Sequence, residues 1–285
     1  MADKEKERLS KNLEKVAPLF KKEEAVIYLN DKKTLIAADI HGDADALDFI
    51  LEFAEKTKVE SFIFLGDYVD KGPDSIRVLN TLFKLKCSRP KNVILLRGNH
   101  ETKDVNSHYE FRTALKNEPE IHESANAVFE HMPIAVVLNK NIFCVHGGIS
   151  GKKDETLSDI SKKTSLYYIW NDPGSENGLT PSLRGGRLSR FGPDVAAEFM
   201  KRNNLKIIIR GHSSLETGVR FWFDRTLISL YSILPYPEPN LKAAVAIVDG
   251  NKIELNFYKK TNRDKFAWEE RTEILIIPKA DDRKK

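Results

Sequence analysis

Cysteine is scarce in this chain: Cys87 and Cys144 are the only two among 285 residues, each within or beside an apolar run. Two thiols so placed offer neither a disulfide framework nor a CxxC metal site, and they suit a reducing compartment. Long apolar runs are missing as well, none approaching the ~20 residues that a membrane helix needs. Met1 to Glu24 alternates basic with acidic residues and lacks the apolar core of a signal peptide. The expectation is a cytoplasmic protein with no membrane role. No basic stripe interleaved with aromatics occurs. The net charge of +4 comes from lysines scattered among acidic residues, so nucleic-acid binding has no support. Internal repeats and low-complexity linkers are also lacking, and residues 1–285 read as a single domain.

What is present suffices for one sizeable core. Leu9, Leu13, Val16, Ala17 and Phe20 recur at helical spacing, which predicts an amphipathic helix in residues 1–24 that Pro18 should kink or shorten. Apolar runs at Thr34–Ala38, Ser61–Leu65 and Val93–Leu96 alternate with helical stretches around Ala44–Lys56 and Asp74–Leu85. That βαβαβ series predicts parallel strands joined by crossover helices. A second series runs through Ile134–Leu138, Asn141–Val145, a helix near Asp194–Asn203, and Leu205–Ile209. The last part is β-rich: Val219–Phe223, Thr226–Tyr231, Ala243–Val248 and Lys252–Tyr258, with hairpin signals at Asp224-Arg225 and Asp249-Gly250. Two β-rich halves predict an α/β fold of two mixed sheets packed face to face, with helices outside. Residues 279–285 read as a flexible tail.

The informative feature is how five strands finish. They run into Asp39-Ile40-His41-Gly42, Gly66-Asp67-Tyr68-Val69-Asp70, Arg97-Gly98-Asn99-His100-Glu101, His146-Gly147-Gly148 and Arg210-Gly211-His212. Each time a buried apolar segment gives way to carboxylate, amide or imidazole beside glycine, which admits unusual dihedrals and close backbone approach. In open α/β sheets, ligands gather at the carboxyl ends of strands. Asp39 and His41 are two apart, so in an extended chain their side chains would point the same way. Any one of these turns alone is more often an ordinary capped turn. Together they hold four of the seven histidines, and the set reads as a metal centre built from oxygen and nitrogen donors. His108, His122 and His131 fall in helical stretches and read as structural or surface residues.

This ordered set, together with Gly72, Trp170-Asn171-Asp172-Pro173, Arg184-Gly185-Gly186, Phe191-Gly192, Glu216-x-Gly218 and Tyr231-Ser232, resembles the phosphoprotein serine/threonine phosphatases, the family of protein phosphatase one, two-A and calcineurin. The resemblance covers about residue 25 to about residue 260, the expected catalytic core, and implies a metallophosphoesterase fold. It implies that Asp39, His41 and Asp67 hold one ion and that Asp67, Asn99, His146 and His212 hold a second. The cofactors implied are two divalent ions, manganese foremost, with iron or zinc as alternatives. Phosphoserine and phosphothreonine in proteins would be hydrolysed by direct attack of a water or hydroxide bridging the two ions.

His100 with Asp70 is implied as the general acid, against the alternatives of a seventh ligand for His100 and a plain turn residue for Asp70. Phosphate contacts are expected from Lys71, Arg184 and Tyr236. Arg187 and Arg190 are rivals to Arg184, and packing against Pro235 and Pro237 is the alternative for Tyr236. Two residues depart from the family pattern. Lys71 replaces an arginine, keeping the charge but losing the planar two-point grip on phosphate, and Ala38 replaces a glycine before Asp39. Phosphoproteins are the expected substrates, regulatory proteins candidate partners, and the chain is expected to be monomeric. Dinucleoside polyphosphates and phosphotyrosine are the alternative substrates, since related enzymes share the metal core.

Overall fold

The computed structural model describes residues 2–30, 32–234, 241–261 and 265–277. In chain order the first part runs α1 (Ala2–Lys22), β1 (Val26–Leu29), β2 (Thr34–Ala37), α2 (Ala44–Lys56), β3 (Ser61–Phe64), α3 (Ser75–Ser88) and β4 (Val93–Leu95). Three helices follow, α4 (Lys103–Asn106), α5 (Glu110–Ala114) and α6 (Pro119–Phe129), then β5 (Ala135–Leu138) and β6 (Ile142–Val145). Next come α7 (Leu166–Trp170), β7 (Asp172–Pro173), β8 (Leu179–Pro181), β9 (Ser189–Phe191), α8 (Pro193–Arg202) and β10 (Ile207–Arg210). The chain closes with β11 (Val219–Trp222), β12 (Leu227–Leu230), β13 (Ala243–Asp249), β14 (Lys252–Lys260) and β15 (Phe266–Ile276). Among the described residues, no helix is long and apolar enough to cross a membrane.

Two six-stranded mixed sheets result, ordered β1-β5-β6-β10-β12-β11 and β15-β14-β13-β2-β3-β4, with a small sheet β7-β9-β8 beside them. The expected βαβαβ unit is there: β2 pairs parallel with β3, and β3 with β4. Both expected hairpins are there too, β11 with β12 and β13 with β14, each antiparallel.

Alternation along the strands explains the layering. Ile36, Ile63 and Ile94 of one sheet face Cys144, Ile209 and Ile228 of the other, forming the core between the sheets. Leu35, Phe62 and Val93 point the opposite way and meet Leu47, Leu79 and Phe83 of α2 and α3. On the far side Val137, Phe143 and Ile208 pack against Phe199 of α8. Strands covered on both faces read as unbroken apolar runs, as these do. Each fully buried Leu, Ile or Phe contributes about 1.5–3 kcal/mol, so this four-layer α/β/β/α packing is what holds the loops beyond the strands in place.

Helix caps tie those loops to the scaffold. Asp43 accepts from the Ala46 N–H at 2.9 Å at the start of α2, and Asp74 from the Arg77 N–H at 3.0 Å at the start of α3. Both carboxylates directly follow glycine-bearing loops, so each cap fixes the exit of a site loop as well as the first turn of a helix.

Four findings depart from the sequence reading. First, α1 runs through Pro18 to Lys22 rather than stopping there. Its last turn is anchored by Phe20, which is fully buried and lies 6.2 Å from Phe83, and by Lys162, which donates to the Phe20 and Glu23 carbonyls. Second, β1 and the small sheet have no counterpart in the expected elements. Third, β15, the longest strand, lies beyond residue 260 and pairs antiparallel with β14. Fourth, His108 and His131 sit in turns, whereas His122 is buried on α6 and hydrogen-bonded to Asn106 Oδ1 at 2.8 Å. Residues 235–240 and 278–285, which include Tyr236 and the expected tail, lie outside the described residues.

Candidate metal centre

The ends of β2, β3 and β4 from one sheet meet the ends of β6 and β10 from the other, at the seam between the two. Asp39, His41, Asp67, Asn99, His146 and His212 are brought together there, each at most 6% exposed. The expectation that an extended chain aligns Asp39 with His41 does not hold. Strand β2 stops at Ala37, and both residues have left-handed backbones, with φ of 44° and 41°. Asp67 and His212 share that unusual conformation, at 55° and 68°. Non-glycine residues adopt it at an energetic cost, and such strain persists only where surrounding bonds impose it.

Those bonds can be followed. The Ile40 and His41 N–H groups both donate to the Asp67 carbonyl at 2.8 Å. The Glu101 carboxylate accepts from the Asp67 N–H at 2.7 Å and the Gly98 N–H at 3.0 Å with one oxygen, and from the Tyr68 N–H at 2.8 Å with the other. It thereby staples the β3 loop to the β4 loop. Burial and the charge of Asp67 push Glu101 up to about 8, against the Tyr68 and Asp67 N–H groups that pull it down. Every bond that this side chain makes accepts an N–H, so the geometry fits the ionised form. Gly98 is required because a Cβ there would lie 2.3 Å from Asp67 Oδ1. Across the seam, the His212 N–H donates to Asp39 Oδ1 at 2.8 Å. The methyl of Ala38 is accommodated because residue 211 is glycine: a Cβ on Gly211 would sit 3.0 Å from Ala38 Cβ and 2.5 Å from Asp39 Oδ1.

Two groups of donors converge, sharing Asp67. In the first, His41 Nε2 lies 3.4 Å from Asp67 Oδ2 and 3.8 Å from Asp39 Oδ2. In the second, His146 Nε2 lies 3.0 Å from Asn99 Oδ1, 3.2 Å from His212 Nδ1 and 3.3 Å from Asp67 Oδ1. The tautomers follow from the far side of each ring. His41 Nδ1 faces the Val69 carbonyl at 2.9 Å and His146 Nδ1 the Leu65 carbonyl at 3.0 Å. A carbonyl only accepts, so each Nδ1 carries the proton and each Nε2 presents a lone pair inward. His146 Nε2 thus turns its lone pair towards a carboxylate oxygen, an amide oxygen and the His212 ring, whose own Nε2 is buried without a partner. Acceptor oxygens and an imidazole lone pair gathered in this way favour a cation. Spacings of about 3.0–3.4 Å are those generated by metal–donor bonds of about 2.1 Å, so the residues fit divalent ions.

The electrostatics agree with a site built for positive charge. Burial drives His41 down to about 3 and His146 to about 4, keeping both neutral as ligands must be. Burial and the neighbouring Asp67 raise Asp39 to about 7. Burial opposes charge on Asp67 too, but His146, His100 and His41 outweigh it and hold that carboxyl well below the usual range.

His100 stands at the edge of the first group. Its Nδ1 is 2.7 Å from Asp70 Oδ2, and its ring lies 4.8 Å from that of His41. Asp70 is fixed by the Phe111 N–H at 3.0 Å, and its own N–H donates to Ser75 Oγ at 3.0 Å, so it orients the imidazole rather than serving only as a turn residue. Burial works against a charge on His100, yet Asp67 and Asp70 together raise its pKa above the ordinary histidine value. His100 also groups with His41 and Asp67 as a potential ligand set.

Of the expected phosphate contacts, Arg184 lies at the rim. Its Nε donates to Asp172 Oδ2 at 2.7 Å and its Nη2 to the His212 carbonyl at 3.4 Å, a link to the centre that neither Arg187 nor Arg190 makes. Lys71 points inward, with Nζ 2.9 Å from His41 Nε2. Tyr236 lies outside the described residues. Sequence reasoning missed the supporting roles of Glu101, Asp172 and Arg210, although all three stand within the quoted motifs. Arg210 is fully buried and bonds the Gly147 carbonyl at 2.5 Å, Ser213 Oγ at 2.6 Å and Asp172 Oδ1 at 2.8 Å, joining the His146 loop to the His212 loop. A charged residue inside an apolar strand, Ile207-Ile208-Ile209-Arg210, was the available signal, because a buried charge needs partners.

Comparison with known proteins places this geometry. The pattern of the calcineurin-like phosphoesterases matches residues 32–214. The chain is 34% identical over 224 residues to serine/threonine-protein phosphatase 5 of Solanum lycopersicum, across 74% of this chain but only 40% of that protein. It therefore spans about two fifths of that relative's length. Among solved structures, a protein serine/threonine phosphatase from Saccharomyces cerevisiae with similarity to human phosphatase PP5 superposes with a TM-score of 0.78 at 28% identity, covering 86% of this chain and 83% of the other. A cold-active protein-tyrosine phosphatase of a Shewanella species gives 0.59 at 18% identity, over 88% and 84%, a likeness of fold alone.

Proposed function

This chain belongs to the calcineurin-like phosphoesterase family, and from that premise we propose that it is a metal-dependent phosphatase acting on phosphoserine and phosphothreonine in proteins. The observation that carries the reading is the pair of donor groups meeting on Asp67, one on each carboxylate oxygen, beside the His100–Asp70 pair. Asp39, His41 and Asp67 would hold one divalent ion; Asp67, Asn99, His146 and His212 would hold the second. Bound there, such a pair supplies Lewis acidity to the phosphoryl oxygens and lowers the pKa of water.

The chain's own groups supply the rest. His100 donates from Nδ1 to Asp70, leaving Nε2 to carry a proton towards the departing alkoxide of serine or threonine. Asp67 and Asp70 raise its pKa against burial, which favours the protonated ring. We favour this acid role over ligation because Asp70 commits one ring nitrogen and stabilises the charged imidazolium. Arg184, steadied by Asp172, offers N–H donors to the non-bridging phosphate oxygens. The names of the tomato relative and the yeast structure support serine and threonine as the phosphorylated residues. The two free thiols support placement in the cytoplasm, and the names of the phosphatase relatives support phosphoproteins as partners.

The test is to strip the protein with chelator, restore manganese, iron or zinc in turn, and assay phosphoserine, phosphothreonine and phosphotyrosine peptides beside a dinucleoside tetraphosphate. Restored turnover of the first two above the others supports the reading. Preference for the dinucleotide or for phosphotyrosine refutes the substrate, and turnover indifferent to metal refutes the mechanism.

A further inference from the structure

We propose that Lys71 and the ion of the first donor group compete for a single lone pair on His41. The inference rests on the two-ion reading above and concerns loading of the site rather than turnover.

The Val69 carbonyl fixes the His41 proton on Nδ1, leaving one in-plane lone pair on Nε2. That lone pair is directed at the space shared with Asp39 and Asp67. Lys71 Nζ stands 2.9 Å from the same nitrogen. An ammonium has only protons to offer, and an imidazole nitrogen has one lone pair, so Lys71 and a cation cannot both be served.

The backbone makes this inward aim a built feature. Asp70 and Lys71 both lie in the left-handed region, with φ of 69° and 62°. Gly72 approaches His41 so closely that a Cβ on it would lie 1.9 Å from the His41 carbonyl oxygen. The Lys71 N–H is held by Glu110 Oε2 at 2.9 Å. Pinned on both sides, the residue sends its stem towards His41. Its one direct contact there is the hydrogen bond to His41, since among the described residues Lys71 makes no ion pair with Asp39, Asp67 or Asp70, although its charge also acts on Asp39. A lysine stem has four rotatable bonds, so an ion that takes Nε2 releases the ammonium to the mouth of the site, where phosphate would bind. Loading the first ion and freeing a phosphate contact become one event. A planar arginine fork would meet the single lone pair less well and the phosphate better.

The experiment is calorimetric titration of manganese into chelator-stripped wild type, Lys71→Met and Arg184→Met. Wild type should take up two ions. Lys71→Met should tighten one of them by about tenfold, the worth of one hydrogen bond, and leave the other within about twofold. Arg184→Met removes a cation from the rim but not from His41, and should tighten neither by that much. In the stripped proteins, the 15N resonance of His41 Nε2 should move on Lys71→Met, as a hydrogen-bonded lone pair becomes a bare one. Unchanged affinities in Lys71→Met, equal tightening by Arg184→Met, or tightening in Lys71→Met with the His41 Nε2 resonance unmoved, the mark of lost charge alone, would overturn the inference while leaving two-ion binding intact. A wild type that takes up no manganese would sink the two-ion reading, and this inference with it.

Discussion

Replacing Glu101 by glutamine tests whether the staple between the β3 and β4 loops carries the stability implied by its geometry. The substitution keeps size and shape but exchanges one acceptor oxygen for an amide that donates. One oxygen accepts from Asp67 and Gly98 at 2.7 and 3.0 Å; the other accepts from Tyr68 at 2.8 Å and more loosely from Val69 at 3.4 Å. The amide nitrogen should turn to the weaker side, leaving the Tyr68 and Val69 N–H groups facing another donor. Glu101 is fully buried, so water cannot repair the loss. A buried N–H without an acceptor costs about 1–3 kcal/mol. One good bond and one long one therefore give an expected loss of about 2–4 kcal/mol, against a typical total of about 5–15 kcal/mol. Urea unfolding followed by circular dichroism, in chelator so that ions contribute nothing, reads this directly as a lower midpoint with unchanged slope. A loss below about 0.5 kcal/mol, the usual range for innocuous surface changes, would refute the argument.

Three further outcomes are expected. Asp67→Asn removes the carboxylate shared by the two donor groups; bound metal, measured by mass spectrometry, should fall from two ions per chain to at most one, and retention of both would contradict the shared role. Asp70→Asn removes a carboxylate that, with Asp67, raises the pKa of His100 against burial; the acid then loses its proton at lower pH, so the alkaline limb of the pH–rate profile should shift to lower pH, and an unmoved limb would argue against His100 as the acid. Lys86 is wholly buried, paired with Glu23 and donating to the Pro90 and Val93 carbonyls, so Lys86→Met or Glu23→Leu alone should cost about 3–5 kcal/mol in denaturant unfolding, whereas the double substitution should cost less than the sum of the two, with the carbonyl bonds still lost; additive losses would show that the pair is not coupled.

The parts of this fold that could be read in advance share a physical cause. Strands β2, β3, β4, β6 and β10 are covered on both faces, so their apolar runs stand out from the polar loops that follow. The site residues were legible because polar groups placed beside glycine at the end of such runs cost too much to be incidental. Strand β15 was hidden for the opposite reason. It is an edge strand whose Glu269, Glu270 and Glu273 interrupt the alternation, and its main anchor, Trp268 stacked 3.9 Å from Phe53, depends on a partner more than two hundred residues earlier in the chain. The helix expected in residues 1–24 is present, and the shortening expected at Pro18 fails because local propensity knows nothing of Lys162, which caps its end. Left-handed Asp39 and His41 are imposed by the Asp67 carbonyl of a neighbouring loop, a long-range bond that letter spacing does not encode.

The donor set is drawn from both of two stacked sheets: Asp39, His41, Asp67 and Asn99 follow strands of one, His146 and His212 strands of the other. Cations held there would act as rivets through the laminate, resisting any sliding of one layer over its partner. Amide protons deep in β6 and β10 should then exchange more slowly after loading, even though those strands lie on the layer that contributes only two of the ligands.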